Sequence, residues 1–190
     1  MELNELYHLC EQKLESNGFK RSIAGDDWPL CARCYVSAIR KRKGLFCYGL
    51  PGCGKTTFLR AIQKAYRYST WWFSCISRND MEKLNDMLVD DYYRAKLVER
   101  DIYLDDVAAE NDIRSFGNQS NPVLELIDLL YEARARGVWQ SRLFVSTNLI
   151  DSEKMNDYFG ARIADRLTDL CIPLRFRSET KRKWEKPCKI

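Results

Sequence analysis

Apolar and polar positions run along this chain in two periods, and the places where one gives way to the other outline its fold. Short apolar runs of strand length fall at residues 45–48 (LFCY), 70–76 (TWWFSCI), 101–104 (DIYL), 142–147 (RLFVST) and 172–177 (IPLRFR). Helical spacing fills the intervals. Apolar positions 58, 59, 62 and 65 or 66 recur along one face, and residues 81–93 align Met81, Leu84, Leu88 and Tyr92. Residues 123–136 have Asn121 as a cap, Pro122 in the first turn and Gly137 just past the end. Residues 151–171 read as two short helices broken near Gly160, and helical patterns also cover residues 2–16 and 30–41, joined by a turn-prone stretch. The segment 110–121 reads as a polar loop containing Gly117. Strands alternating with helices predict an α/β fold with a five-stranded, mostly parallel sheet.

Composition narrows the class. At 190 residues, 45% hydrophobic and 31% charged, the chain has the length and balance of one globular domain, which excludes wholesale disorder. No apolar run is long enough to span a bilayer, and the opening MELNELYHLCEQKLES is polar and acidic, unlike a signal peptide. A cytoplasmic protein with no membrane contact is therefore expected. Eight cysteines then read as reduced thiols. A zinc site built from Cys31, Cys34, His8 and Cys10 is the alternative; Cys31 and Cys34 have ligand spacing, while His8 and Cys10 form a separate, irregular pair.

Charge is unevenly placed. The formal net charge is +4, but residues 172–190 hold seven Lys/Arg against two Glu, so the tail carries +5 and the rest of the chain −1. The chain is expected to divide into an N-terminal helical extension over 1–27, a core over 28–178 and a basic tail over 179–190.

The chemistry concentrates where glycine does. Gly49-Leu50-Pro51-Gly52-Cys53-Gly54-Lys55-Thr56, with Thr57 following, fits GxxxxGK[ST] between an apolar strand and a helix. Glycines let backbone N–H groups turn inward around phosphate oxygens, and the helix N-terminus adds partial positive charge. Lys55 is placed to reach the β- and γ-phosphates of a nucleotide, and the Thr56 hydroxyl to coordinate Mg²⁺. Asp105 and Asp106 close the run DIYL, where ligands bind in parallel sheets. Asp105 is the candidate Mg²⁺ ligand, and Asp106 the candidate to orient or deprotonate the attacking water. Asn148, after RLFVST, is placed to reach the γ-phosphate or that water. Arg162 and Arg166, four apart on one helical face, are candidates for stabilising transition-state charge at a neighbouring subunit.

These motifs together resemble the DnaC/IstB-like branch of the AAA+ ATPases, which contains replicative-helicase loaders and transposition helper ATPases. The resemblance runs from about Trp28 to Arg182 and rests on GLFCYGLPGCGKTTFLRAI, YLDDVAAE, RLFVSTNL and YFGARIADRL, in that order. It implies an ASCE-type P-loop NTPase of three layers, with an extra strand between the P-loop strand and its sequence neighbour. It makes Lys55 and Thr56 the Walker-A pair, Asp105 and Asp106 the Walker-B pair, Asn148 sensor 1 and Arg166 the arginine finger, with Arg162 the second candidate. It further implies ATP and ADP as ligands with Mg²⁺, a replicative helicase or transposase as partner, and a homo-oligomer in the ATP-bound state. Two departures stand out. Cys53 occupies a position where the family often has threonine. About thirteen residues follow the last strand, too few for a C-terminal helical lid, which leaves Arg182 as the residue to act in place of sensor 2.

The basic tail and the run Arg40-Lys41-Arg42-Lys43 suit the phosphates of single-stranded DNA, with Trp184 available for stacking; a solvated basic terminus is the plain alternative. The sequence thus supports a slow, partner-stimulated ATPase acting as a switch. Its rivals are a P-loop kinase for a nucleoside or small metabolite, and a nucleotide-binding adaptor without turnover.

Overall fold

Five strands join into one sheet whose spatial order departs from their order in the chain. The computed structural model describes residues 2–66, 69–109, 121–138 and 141–178. The strands are β1 (Gly44–Tyr48), β2 (Trp71–Ser74), β3 (Ile102–Val107), β4 (Leu143–Thr147) and β5 (Cys171–Arg175), arranged β2-β3-β4-β1-β5. Every pairing is parallel, in keeping with the five-stranded, mostly parallel sheet expected from the sequence. β4 lies between β1 and β3, the inserted-strand arrangement that the resemblance implies.

The helices are α1 (Leu3–Ser16), α2 (Arg21–Ala24), α3 (Trp28–Lys41), α4 (Lys55–Ala65), α5 (Arg78–Val89), α6 (Asp91–Leu97), α7 (Pro122–Ala135) and α8 (Ser152–Leu170). The single helix expected over 81–93 is two. Asp90 turns extended and accepts from the backbone N–H groups of Tyr92 and Tyr93 at 2.9 and 3.1 Å, capping α6 and ending α5. The stretch 17–29 contains α2 and a short 3-10 turn, Gly25–Asp27. Elsewhere the local signals hold. Asn121 caps α7, accepting from Val123 N–H at 2.9 Å, and α8 breaks at Gly160, whose φ of 68° favours glycine.

Helices cover both faces, which is why the strands read as near-continuous apolar runs. On one face α5, α7 and α8 pack Leu84, Leu126, Ile127, Leu130, Ile163 and Leu167 against Leu104 and Val145. On the other, α1, α3 and α4 pack Leu14, Tyr35, Phe58, Leu59 and Ile62 against Tyr103 and Phe144. The N-terminal helix belongs to this second layer. It buries Leu6, Cys10 and Leu14, and burying a leucine contributes about 1.5–3 kcal/mol. Behind it, Phe19 stacks on Trp28 at 5.7 Å and meets Phe58 at 4.9 Å.

Buried Asp27 ties this N-terminal layer to the far end of the sheet. Its carboxylate accepts from the N–H groups of Arg177 and Ser178 and, at 2.7 Å, from the Ser178 hydroxyl. The basic tail with Arg182 and Trp184, the lid question and the loop residues 110–120 lie outside the described residues.

Candidate functional site

The turn between β1 and α4 places its side chains at the C-terminal ends of β3 and β4. Gly54 caps α4 with φ at 102°, a left-handed conformation that lets Lys55 begin the helix at once. Gly49 is required by close approach: a Cβ there would stand 2.6 Å from the carbonyl oxygen of Phe176. Leu50 and Pro51 are exposed, Gly52 and Thr57 half-buried, and Cys53 is fully buried. Ile23 lies against Gly54, its Cγ2 3.2 Å from where a Cβ would stand, so the N-terminal layer flanks the turn.

Lys55 is 4% exposed, and its ammonium donates to three oxygens, those of Gly49 C=O, Leu50 C=O and the Asn148 side chain, each at 2.9 Å. A fourth contact, to Cys53 Sγ, is 3.6 Å. An ammonium has three protons to donate, so this set saturates it without a counter-charge.

Thr56 donates its hydroxyl to Asp105 Oδ1 at 2.9 Å. The same oxygen accepts from Ser146 Oγ–H at 2.6 Å, while Ser146 Oγ accepts the backbone N–H of Asp106 at 2.9 Å. Ser146 is therefore a link that motif reading missed; its signal was the pair of hydroxyl residues, Ser146 and Thr147, closing an otherwise apolar strand. The two aspartates lie within β3 and not after it, where the β3–β4 register shifts between Leu104 and Val107. Asp106 adopts φ of 58°, so the strand bends at the residue following the candidate metal ligand.

Sequence-distant Lys55, Thr56, Asp105 and Asn148 thus converge, and Asp106 adjoins them through Ser146. The threonine hydroxyl and aspartate carboxylate are hard oxygen donors in contact, a pair suited to Mg²⁺. Arg162 and Arg166 are not part of this group. They lie in the second half of α8 and bond Asp128 of α7: Arg162 Nη2 donates to Oδ2 at 3.0 Å, and Arg166 Nη1 donates to Oδ1.

The candidate zinc residues do not form a metal cluster among the described residues. His8 is exposed and faces Glu11, whereas Cys31 is buried in α3. Burial raises the thiols of Cys31, Cys34, Cys47 and Cys171, and pushes Cys10 up to about 11. Of the basic run, Arg40, Lys41 and Arg42 are exposed, while Lys43 donates to Thr168 C=O at 3.0 Å. Arg42 lines a cavity of about 800 Å³ with Arg100, Asp101, Arg134 and Arg142, at the N-terminal ends of β3 and β4, the opposite end of the strands from the glycine turn. No described helix is long and apolar enough to cross a membrane.

No protein-family model matches the chain, and no curated protein matches it. Among solved structures, the DnaC helicase loader has a similar fold: the TM-score is 0.51 at 18% identity, covering 78% of this chain and 91% of that one. The fold is that of a P-loop NTPase.

Proposed function

We propose that this chain binds and hydrolyses ATP as a DnaC/IstB-type AAA+ switch, acting in the cytoplasm on a replicative helicase. A transposase is the other partner that the sequence resemblance offers. The observation that carries the reading is the convergence of Lys55 and Thr56 with Asn148 and Asp105 at the ends of two further strands. The likeness of fold to a helicase loader supports it.

In this reading the turn from Gly49 to Gly54, with Thr57, cradles the phosphates of ATP or ADP, and Lys55 exchanges its carbonyl partners for phosphate oxygens. Thr56 and Asp105 hold Mg²⁺, which neutralises charge developing on the phosphates. Asp106 orients the water that attacks, and Asn148 holds Lys55 or the γ-phosphate in register. The N-terminal extension 1–27 flanks the turn through Ile23, and the core 28–178 carries the chemistry. Subunits associate in the ATP-bound state, with Arg166 or Arg162 reaching a neighbour's nucleotide. The tail 179–190 serves single-stranded DNA.

Fluorescent-nucleotide titration and phosphate release test the site: Lys55→Ala lowers ATP affinity at least tenfold and abolishes turnover, and retained turnover removes the assignment. Capture with ATP bound and hydrolysis blocked tests the switch. A retained hexameric helicase supports the leading partner and a transposase the second, whereas a phosphorylated nucleoside product replaces both with a kinase.

A further inference from the structure

Two arginines from one helix end on a single carboxylate of another. Asp128 of α7 gives one oxygen to Arg162 and the other to Arg166, so two guanidiniums share one negative charge and the cluster retains a net positive charge. The two differ in freedom. The Arg162 side chain is 68% exposed, whereas that of Arg166 is 14% exposed and lies with Cζ 4.7 Å from the centre of the Tyr131 ring. Asp128 and Tyr131 are three apart and share one face of α7. Arg166 is thus fixed from below by an aromatic face and from one side by a carboxylate. The helices that hold the cluster are themselves anchored by buried Ile127, Leu130, Ile163 and Leu167.

We propose that Asp128 is a positioning residue for catalysis between subunits, holding Arg166 in place for the nucleotide of a neighbouring copy. The proposal rests on the reading of the chain as an assembling ATPase. Among the described residues the contacts of Arg166 are with Asp128 and Tyr131 of α7, apart from the Lys55, Thr56, Asp105 and Asn148 group, which suits a role at a neighbour's nucleotide. Arginine has five donors, and Asp128 Oδ1 occupies one of them. A guanidinium ordered before it meets the phosphate loses less freedom on reaching the transition state. Without the carboxylate, two like charges four residues apart repel along α8 and splay.

The test uses Asp128→Asn, which keeps the shape and removes the charge. Wild-type phosphate release per subunit should rise with protein concentration. Asp128→Asn should then lower kcat at least tenfold and leave KM for ATP within twofold, because the subunit's own nucleotide site is intact; Asp128→Glu should recover most of the loss. Mixing Asp128→Asn with Lys55→Ala should restore turnover, since one supplies an intact nucleotide site and the other an intact Arg166. Wild-type kcat in Asp128→Asn, an equal change in KM, or no recovery on mixing overturns the proposal. A wild-type rate independent of concentration overturns the assembling-ATPase reading, and the proposal with it. Should Asn at 128 prevent folding, Tyr131→Leu must give the same kcat-only loss, and an unchanged kcat there overturns the proposal equally.

Discussion

The Lys55 ammonium donates to the side-chain oxygen of Asn148 at 2.9 Å, across 93 positions of sequence. The contact joins the first turn of α4 to the end of β4, and under the proposed function asparagine and phosphate compete for one cation. Asn148→Asp replaces a dipole with a charge that both binds Lys55 and repels a polyphosphate, so ATP affinity should fall at least tenfold, about 1.4 kcal/mol. Asn148→Ala removes only a neutral partner and should change affinity less than threefold, while phosphate release drops further. Fluorescent-nucleotide titration beside a phosphate-release assay separates the two substitutions.

Ser146 is fully buried and bridges Asp105 Oδ1 to the Asp106 N–H. Ser146→Ala leaves that N–H and one carboxylate contact unmet at a bent strand, and should destabilise the fold by about 1–3 kcal/mol. It should also raise the Mg²⁺ concentration needed for half-maximal turnover, because Asp105 loses one of its two hydroxyl partners. Urea unfolding and a Mg²⁺ titration read the two effects independently.

Asp27 has no motif around it, yet its carboxylate accepts four contacts from two residues beyond β5. Asp27→Ala should cost about 1–3 kcal/mol, since part-buried donors of Arg177 and Ser178 lose a buried carboxylate acceptor. Proteolysis should then cut first at the junction after β5, which limited digestion with mass spectrometry detects.

Alkaline pH should weaken the fold. The folded thiol of Cys10 is raised to about 11 against about 9 for an ordinary thiol, and Cys31, Cys47 and Cys171 are raised as well, all by burial. Above pH 9 the unfolded chain therefore holds fewer protons than the folded one. The stability present below pH 9 falls by about 1.4 kcal/mol per pH unit for each such thiol, until the folded thiol titrates. For Cys10 that window is pH 9 to 11. Urea midpoints at pH 8, 9 and 10 should be flat, then decline; a flat profile to pH 10 contradicts the burial argument. Iodoacetamide should label these native thiols slowly at pH 8.

The glycine turn, its helix and the strand before it were legible because each is encoded within a dozen consecutive residues. The apolar runs located all five strands for the same reason, since a buried parallel strand needs no distant partner to declare itself. Local pattern failed at Asp90, where an aspartate on an apparently continuous helical face caps a new helix instead. It was silent on Asp128, whose meaning depends on arginines 34 and 38 positions away. Asp106 shows the intermediate case. Its place beside the site followed from sequence, but its left-handed backbone arises from a register shift between two strands.

Gly49 and Phe176 lock the glycine turn to the end of β5. The N–H of Phe176 donates to Tyr48 C=O at 2.8 Å, and the space where a side chain at Gly49 would stand is filled by Phe176. The glycine turn and the end of β5 are therefore packed with no room for a Cβ between them, and Asp27 holds the next two residues, Arg177 and Ser178, through its carboxylate. A side chain at position 49 would have to push the turn away from β5, so the meeting of two strand ends dictates the residue type there.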